Sequence, residues 1–271
     1  MPIFVITKKM LIWVLVLLAA AILALILILS GGEEAGGEQT AVLAEVEEYE
    51  FNAVPTLSKE LPVYGVGRSD NKIALTIDAA WDTDKTEFIL ETLDKYNIKA
   101  TFFLCGVWVD AYPDYVKEIA KRGHEIGNHS QTHPHMNSLS ASEIQEEIRL
   151  LDDEIEALTG SRCTLFRAPY GEYNNTVIKA VREIDYEVIQ WTKDTVDWKE
   201  SRSTEQILNS VLPNLTSGDI ILCHNNGYKI EEYLPTLIET AQAQGFEFVT
   251  VSELLLDGET TIDSQGLQQP K

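Results

Sequence analysis

Short apolar strands alternate with amphipathic helices from Lys72 almost to the end of the chain, and this alternation predicts a parallel α/β fold. The strand segments are nearly continuous apolar runs, as strands covered on their outer face by helices should be. Seven such units suit a barrel better than an open sheet, and charged residues gather at the strand C-terminal ends, where barrels keep their chemistry.

The first element precedes the barrel. Met10 to Leu29 is an unbroken apolar run of about 20 residues, the length that crosses a bilayer as a helix. Lys8 and Lys9 stand before it and Glu33 and Glu34 after it, so residues 1–9 are expected to be a cytoplasmic stub, with everything beyond the span outside the cell. The run is longer than the apolar region of a cleaved signal peptide, and "LILSGGEE" carries no small-residue cleavage site, which favours a retained anchor. Residues 30–58, rich in Gly and Glu, read as a flexible linker to a domain over 59–257.

Within that domain, "KIALTID" reads as a strand and "DKTEFILETLDKYN" as its helix; "ATFFLCG" precedes "YPDYVKEIAKRG", and "HEIGNHS" precedes "SASEIQEEIRLLDDEIEALTG". Ser140 and Glu143 have the spacing of a capping box, and Gly160 stands where that helix would end. Next come "LFRAPYG" with "NNTVIKAVREI", "YEVIQWT" with "STEQILNSVLPNLTSG", "DIILCHN" with "EEYLPTLIETAQAQG", and "FEFVTVSEL" as the last strand. The polar stretch over 258–271 is expected to be a disordered tail.

A net charge of −22 argues against binding nucleic acid or an anionic membrane surface, both of which need a basic patch. Cys105, Cys163 and Cys223 form neither a disulfide framework nor a C-x-x-C pair, and packing is their expected role.

Four of the five histidines fall within "GHEIGNHSQTHPHM", residues 123–136. His129 and His133 stand four apart, so a helical turn after Ser130, ended by Pro134, would aim both imidazoles the same way, as in two-histidine metal sites. Asp78 ends the first strand, Arg167 the fourth and His224 the sixth, and the fifth leads to Asp194 and Asp197.

In order along the chain, "TID", "HSQTH", "RAPY", "DTVDW" and "LCH" resemble the five motifs of the polysaccharide deacetylase family, the NodB-homology or carbohydrate esterase family 4 domain. The likeness spans roughly Lys72 to Leu256 and is nearest the sporulation and cell-wall deacetylases of Gram-positive bacteria. It implies a distorted, incomplete (β/α)7 barrel and hydrolysis of N-acetyl groups on amino sugars. A divalent metal such as zinc or cobalt is implied as cofactor. By this resemblance Asp78 matches the base, Arg167 the arginine that holds it, and His224 the general acid. Asp197 matches the carboxylate behind that acid, with Asp194 as the less favoured choice. The backbone N–H of Tyr170 would face the oxyanion, Pro169 would fix its turn, and Trp198 and Leu222 would line the groove. His129 and His133 match two metal ligands, whereas His124 has no counterpart and His135 should lie exposed.

One position departs from the pattern. Most of the family reads T-F-D-D-G at the first motif, the second aspartate being the metal's carboxylate ligand, and here that position is Ala79. Asp82 could reach back to the metal, Asp84 less easily; Asp78 could share its carboxylate; or metal could bind weakly or not at all. Asp82 is the expected ligand. The resulting expectation is a membrane-anchored, outward-facing deacetylase whose partner is an N-acetylated cell-wall glycan, most plausibly peptidoglycan, with no protein partner predicted. A glycan-binding domain without turnover, or a deacylase of another acyl sugar, is the alternative.

Overall fold

The computed structural model describes residues 59–271. The expected stub, membrane span and linker lie outside the described residues. Among those described, no helix is long and apolar enough to cross a membrane.

In chain order the elements are β1 (Gly65–Val66), β2 (Lys72–Ala79), α1 (Thr86–Lys95), β3 (Thr101–Leu104), α2 (Gly106–Ala111), α3 (Pro113–Lys121), β4 (Glu125–Asn128), α4 (Ala141–Thr159), β5 (Leu165–Phe166) and α5 (Asn175–Arg182). They continue with β6 (Glu187–Val188), β7 (Lys193–Asp194), α6 (Thr204–Val211), β8 (Ile220–His224), α7 (Ile230–Ala243), β9 (Glu247–Val249), α8 (Val251–Leu254), β10 (Thr260–Ile262) and β11 (Leu267–Pro270).

The main sheet runs β6-β5-β4-β3-β2-β8-β7, with β9 added beside β2, and every pairing in it is parallel. Its two margins, β6 and β7, are neighbours in sequence, joined only by residues 189–192. A chain advances at most about 3.6 Å per residue, so the margins can be no more than roughly 20 Å apart, and the sheet must curl into an incomplete barrel. Residues 63–66 cross the gap: Val63 N–H donates to Val188 O at 2.8 Å, Gln190 N–H to Val63 O at 2.7 Å, and Val66 N–H to Gly218 O at 2.9 Å.

Strand alternation sorts the side chains of β2. Ile73, Leu75, Ile77 and Ala79 lie in the apolar layer shared with Leu90, Leu93, Leu234 and Leu237 of α1 and α7. Thr76 and Asp78 have the opposite parity and meet Arg167 inside the curl. The longest helix, α4, begins at the Ser140–Glu143 capping box, ends at Gly160 with φ 76°, and buries Ile144, Ile148, Leu151 and Ile155. Cys105, Cys163 and Cys223 are buried and unpaired.

Three local expectations need correction. The segment after Ser130 is not a helical turn: Ser130 and His133 adopt left-handed φ of 66° and 57°. Its backbone is bound elsewhere, Gly106 N–H donating to Ser130 O and Val107 N–H to Gln131 O, while Gln131 N–H donates to Glu147 O. The last strand stops at Val249, because Thr250 and Glu253 form a capping box that starts α8. The polar tail is ordered: β11 pairs with both β10 and β1, and Gln268 is buried where its Oε1 accepts from Leu256 N at 2.8 Å. One of its two partner strands, β1, lies about two hundred residues upstream, a pairing of which local polarity gave no sign.

Candidate active site

The C-terminal ends of β2, β4, β7 and β8 and the loop after β5 surround one cavity of about 550 Å³. Its wall includes Asp78, His129, His133, Tyr170, Asp194, Trp198, Leu222 and His224.

Asp78 and His224 are register partners across the β2–β8 pair, which sets a carboxylate and an imidazole side by side. Arg167, fully buried, donates from Nη1 to Asp78 Oδ1 at 2.6 Å and to Thr76 Oγ1 at 2.9 Å, and from Nη2 to Gln190 O at 3.1 Å. Its guanidinium lies 4.1 Å over the Phe103 ring. Burial alone would raise the pKa of Asp78, but the charge of Arg167 and the nearby imidazoles hold it below the ordinary carboxylate value.

His224 is held from behind. Its Nδ1–H donates to Asp197 Oδ1 at 2.7 Å, which leaves Nε2 for the cavity. Burial would lower its pKa, yet the hydrogen bond and charge of Asp197 raise it above the ordinary imidazole value. Asp197 is fully buried, and its Oδ2 accepts from His224 N at 3.1 Å and Tyr233 Oη at 2.6 Å.

Asp194 also lines the cavity, but its Oδ1 accepts from Val196 N at 2.7 Å and so braces the turn in which Val196 takes a φ of 52°. Burial raises its pKa. Of the two aspartates, Asp197 is the one hydrogen-bonded to the imidazole.

His129 and His133 converge as expected, with ring centroids 5.0 Å apart, although by left-handed backbone and not by a helical turn. His129 Nδ1–H donates to Arg167 O at 2.8 Å, leaving its Nε2 lone pair 3.7 Å from Asp78 Oδ2. Burial lowers the pKa of His129, and burial plus the neighbouring imidazole takes His133 to about 4, so both rings are neutral near pH 7. His133 Nδ1 is buried without a hydrogen-bond partner. Two neutral donors thus face the cavity.

The third ligand expected for a metal is not with them. Asp82 is exposed, has a φ of 53° and does not line the cavity; its ordered contacts are made by its backbone carbonyl, which accepts from Trp108 Nε1 and Asn225 Nδ2. The expectation that Asp82 completes the ligand set is therefore corrected. Ala79 is buried in the outer apolar layer, and Asp78 is engaged by Arg167. Among the described residues, no group of three or more His, Cys, Asp or Glu side chains could hold a metal ion. The residues present fit poorly the divalent metal that the resemblance implies, because the one carboxylate beside the two imidazoles, Asp78, is already paired with Arg167, and two neutral imidazoles alone make a weak site.

Tyr170, with φ 59°, sits in the turn opened by buried Pro169; its exposed ring is stacked on His135 at 4.5 Å and meets His133 edge-on at 4.6 Å. Pro169 itself does not line the cavity, whereas Leu222 and the half-exposed Trp198 do. His135 is largely exposed and pairs with Glu172 at 3.1 Å. His124 is buried away from the site, its Nδ1 accepting from Ala100 N.

Sequence reasoning missed Trp81, Trp191 and Asn226, which also line the cavity. Trp81, half-exposed and edge-on to His133 at 4.7 Å, carried a usable signal as a tryptophan three residues past the strand-end aspartate. Trp191 and Asn226 carried none.

Residues 65–189 match the sequence profile of a family described as polysaccharide deacetylase. A peptidoglycan-N-acetylglucosamine deacetylase of Bacillus cereus is 35% identical over 187 residues, covering 68% of this chain and 68% of the relative. The peptidoglycan-N-acetylglucosamine deacetylase PgdA of Listeria monocytogenes is 35% identical over 197 residues, 73% of this chain; the match spans only 41% of that longer relative. A Bacillus anthracis CE4 family pseudoenzyme of known structure superposes with a TM-score of 0.68 at 35% identity, over 71% of this chain and 68% of that one. A mutant of that pseudoenzyme with restored enzymatic activity superposes equally well, with a TM-score of 0.68 at 36% identity over 71% of this chain and 70% of that one.

Proposed function

Because the chain belongs to the polysaccharide deacetylase family, we propose that its domain hydrolyses N-acetyl groups of amino sugars in a cell-wall glycan, peptidoglycan. One observation carries the reading: a carboxylate whose surroundings favour its ionised form and an imidazole whose surroundings favour its protonated form stand as register partners at one cavity.

The chemistry follows from those two states. Asp78 accepts a proton from water as the water oxygen attacks the amide carbonyl carbon. Arg167 holds the carboxylate toward the cavity and balances its charge in the dry interior. The backbone N–H of Tyr170, by likeness to the family, faces the oxyanion of the tetrahedral intermediate. His224 then donates its Nε2 proton to the amide nitrogen, the C–N bond breaks, and acetate and a free amine leave. Asp197 holds the imidazole in the required tautomer. Trp81, Trp198 and Leu222 offer apolar surface to the sugar face and the acetyl methyl. The apolar run over residues 10–29 supports a membrane-tethered, outward-facing placement beside the wall.

A second reading, glycan binding without turnover, is favoured by Ala79 and by the lack, among the described residues, of a third ligand beside His129 and His133. Acetate release separates the two. The fragment from about Pro55 is offered peptidoglycan fragments and N-acetylglucosamine oligomers, with zinc, cobalt or chelator. Release that is lost in Asp78→Asn supports hydrolysis. Glycan binding with no release under any of these conditions sinks it.

A further inference from the structure

Tyr233 lies on α7, outside the barrel, and is fully buried in the layer that holds Leu234 and Leu237. Phenylalanine would fill that space equally well, so packing gives no reason for the hydroxyl. The hydroxyl is nonetheless committed, donating to Asp197 Oδ2 at 2.6 Å.

We propose that Tyr233 is a positioning residue of the acid half of the site, holding the Asp197 carboxylate in the orientation that clamps the His224 imidazole. The catalytic meaning of the contact rests on the deacetylase reading above, while the contact itself stands on geometry.

Asp197 has no exposure to water, and its ion pair among the described residues is with His224. A carboxylate in such a place needs hydrogen-bond donors around it. Oδ1 takes His224 Nδ1–H, and Oδ2 takes the His224 backbone N–H at 3.1 Å and the Tyr233 hydroxyl. The backbone of Gly227 closes the other side, where an added Cβ would stand 2.1 Å from Oδ2. Rotation of the carboxylate is thus opposed by Gly227 and tied by the helix behind the sheet. Without the hydroxyl, Oδ2 keeps one donor, and the carboxylate is held less firmly with Oδ1 toward the ring. The other charged groups acting on His224 are Asp78 and Asp194, with the imidazoles of His129 and His133 nearby, and the buried Cys223 thiol lies beside the Tyr233 hydroxyl.

Tyr233→Phe is the test, read by the pH profile of acetate release and by an NMR titration of the His224 imidazole, with Asp197→Asn as the positive control. One lost hydrogen bond of this kind predicts about a tenfold fall in kcat with KM changed less than about twofold. The high-pH limb and the His224 midpoint should move down together, by about half a pH unit or more. A limb and midpoint unmoved while only thermal stability falls would mean that Tyr233 merely packs. The imidazole titration needs no substrate. If the wild type releases no acetate yet the midpoint moves in Tyr233→Phe, the deacetylase reading fails and the orienting contact stands; turnover with an unmoved midpoint is the reverse. Should the variant not fold, the wild-type Tyr233 Cζ shift decides, since it must follow the His224 titration, and a flat shift overturns the assignment.

Discussion

Replacing Asp78 by Asn tests the centre of the site, because it keeps an oxygen acceptor for Arg167 and removes only the charge. Arg167 has no solvent exposure, and its remaining acceptors, Thr76 Oγ1 and Gln190 O, are neutral. Breaking a buried ion pair from one side costs about 3–5 kcal/mol, and the hydrogen bond retained by Asn offsets about 1 kcal/mol of that. The net loss of about 2–4 kcal/mol corresponds to a drop in Tm of roughly 4–16 °C for a domain of this size. The low pKa of Asp78 adds a pH signature. A depressed folded-state pKa stabilises above the unfolded value of about 3.9, and this contribution is lost as pH falls through the folded pKa. Circular dichroism melts between pH 7 and pH 2 should therefore show a Tm difference between the two proteins at neutral pH that closes on acidification. Acetate release should fall by at least about a hundredfold. A variant melting within about 2 °C of wild type at pH 7 would show that Arg167 does not depend on Asp78, and the assignment of this pair as the supported base would fail.

Three further outcomes are expected. The raised pKa of His224 means that its pairing with Asp197 stabilises fully below about 6.5 and is lost as pH rises through the folded value, so activity should decline on the same alkaline limb; Asp197→Asn should move that limb down, and a limb left in place would refute the dyad. Calorimetry should find zinc binding weak in wild type, and Ala79→Asp, which buries a carboxylate in the apolar layer on the face of β2 opposite Asp78, should lower Tm with or without zinc; a Tm regained on adding zinc would show that position 79 reaches the His129–His133 pair. Truncation after Asp257 removes β10 and β11 and uncovers Val66, which alone costs about 1.5–3 kcal/mol, so a truncated domain as stable as the full one would contradict the three-stranded sheet.

The order of elements was legible because each carries its own local chemistry: apolar strand runs, the Ser140–Glu143 cap, and the stop at Gly160. The site residues were legible as types, since a parallel α/β chain puts its chemistry at strand ends, and Asp78, Arg167, Asp197 and His224 stand there in order. The sequence by itself therefore determined that these four groups meet, but not that Asp82 stays away from the two histidines. How they meet was a tertiary decision. His129 and His133 converge through left-handed backbone because α2 and Glu147 take the hydrogen bonds a helical turn would have used. Asp82 faces away because Trp108 and Asn225 hold its carbonyl. The polar tail becomes strand because its edge is completed by residues 65–66, and Tyr233 reaches Asp197 because α7 packs behind β8. Each of these rests on a hydrogen bond between residues distant in sequence, and no local pattern encodes a partner that only the folded chain brings near.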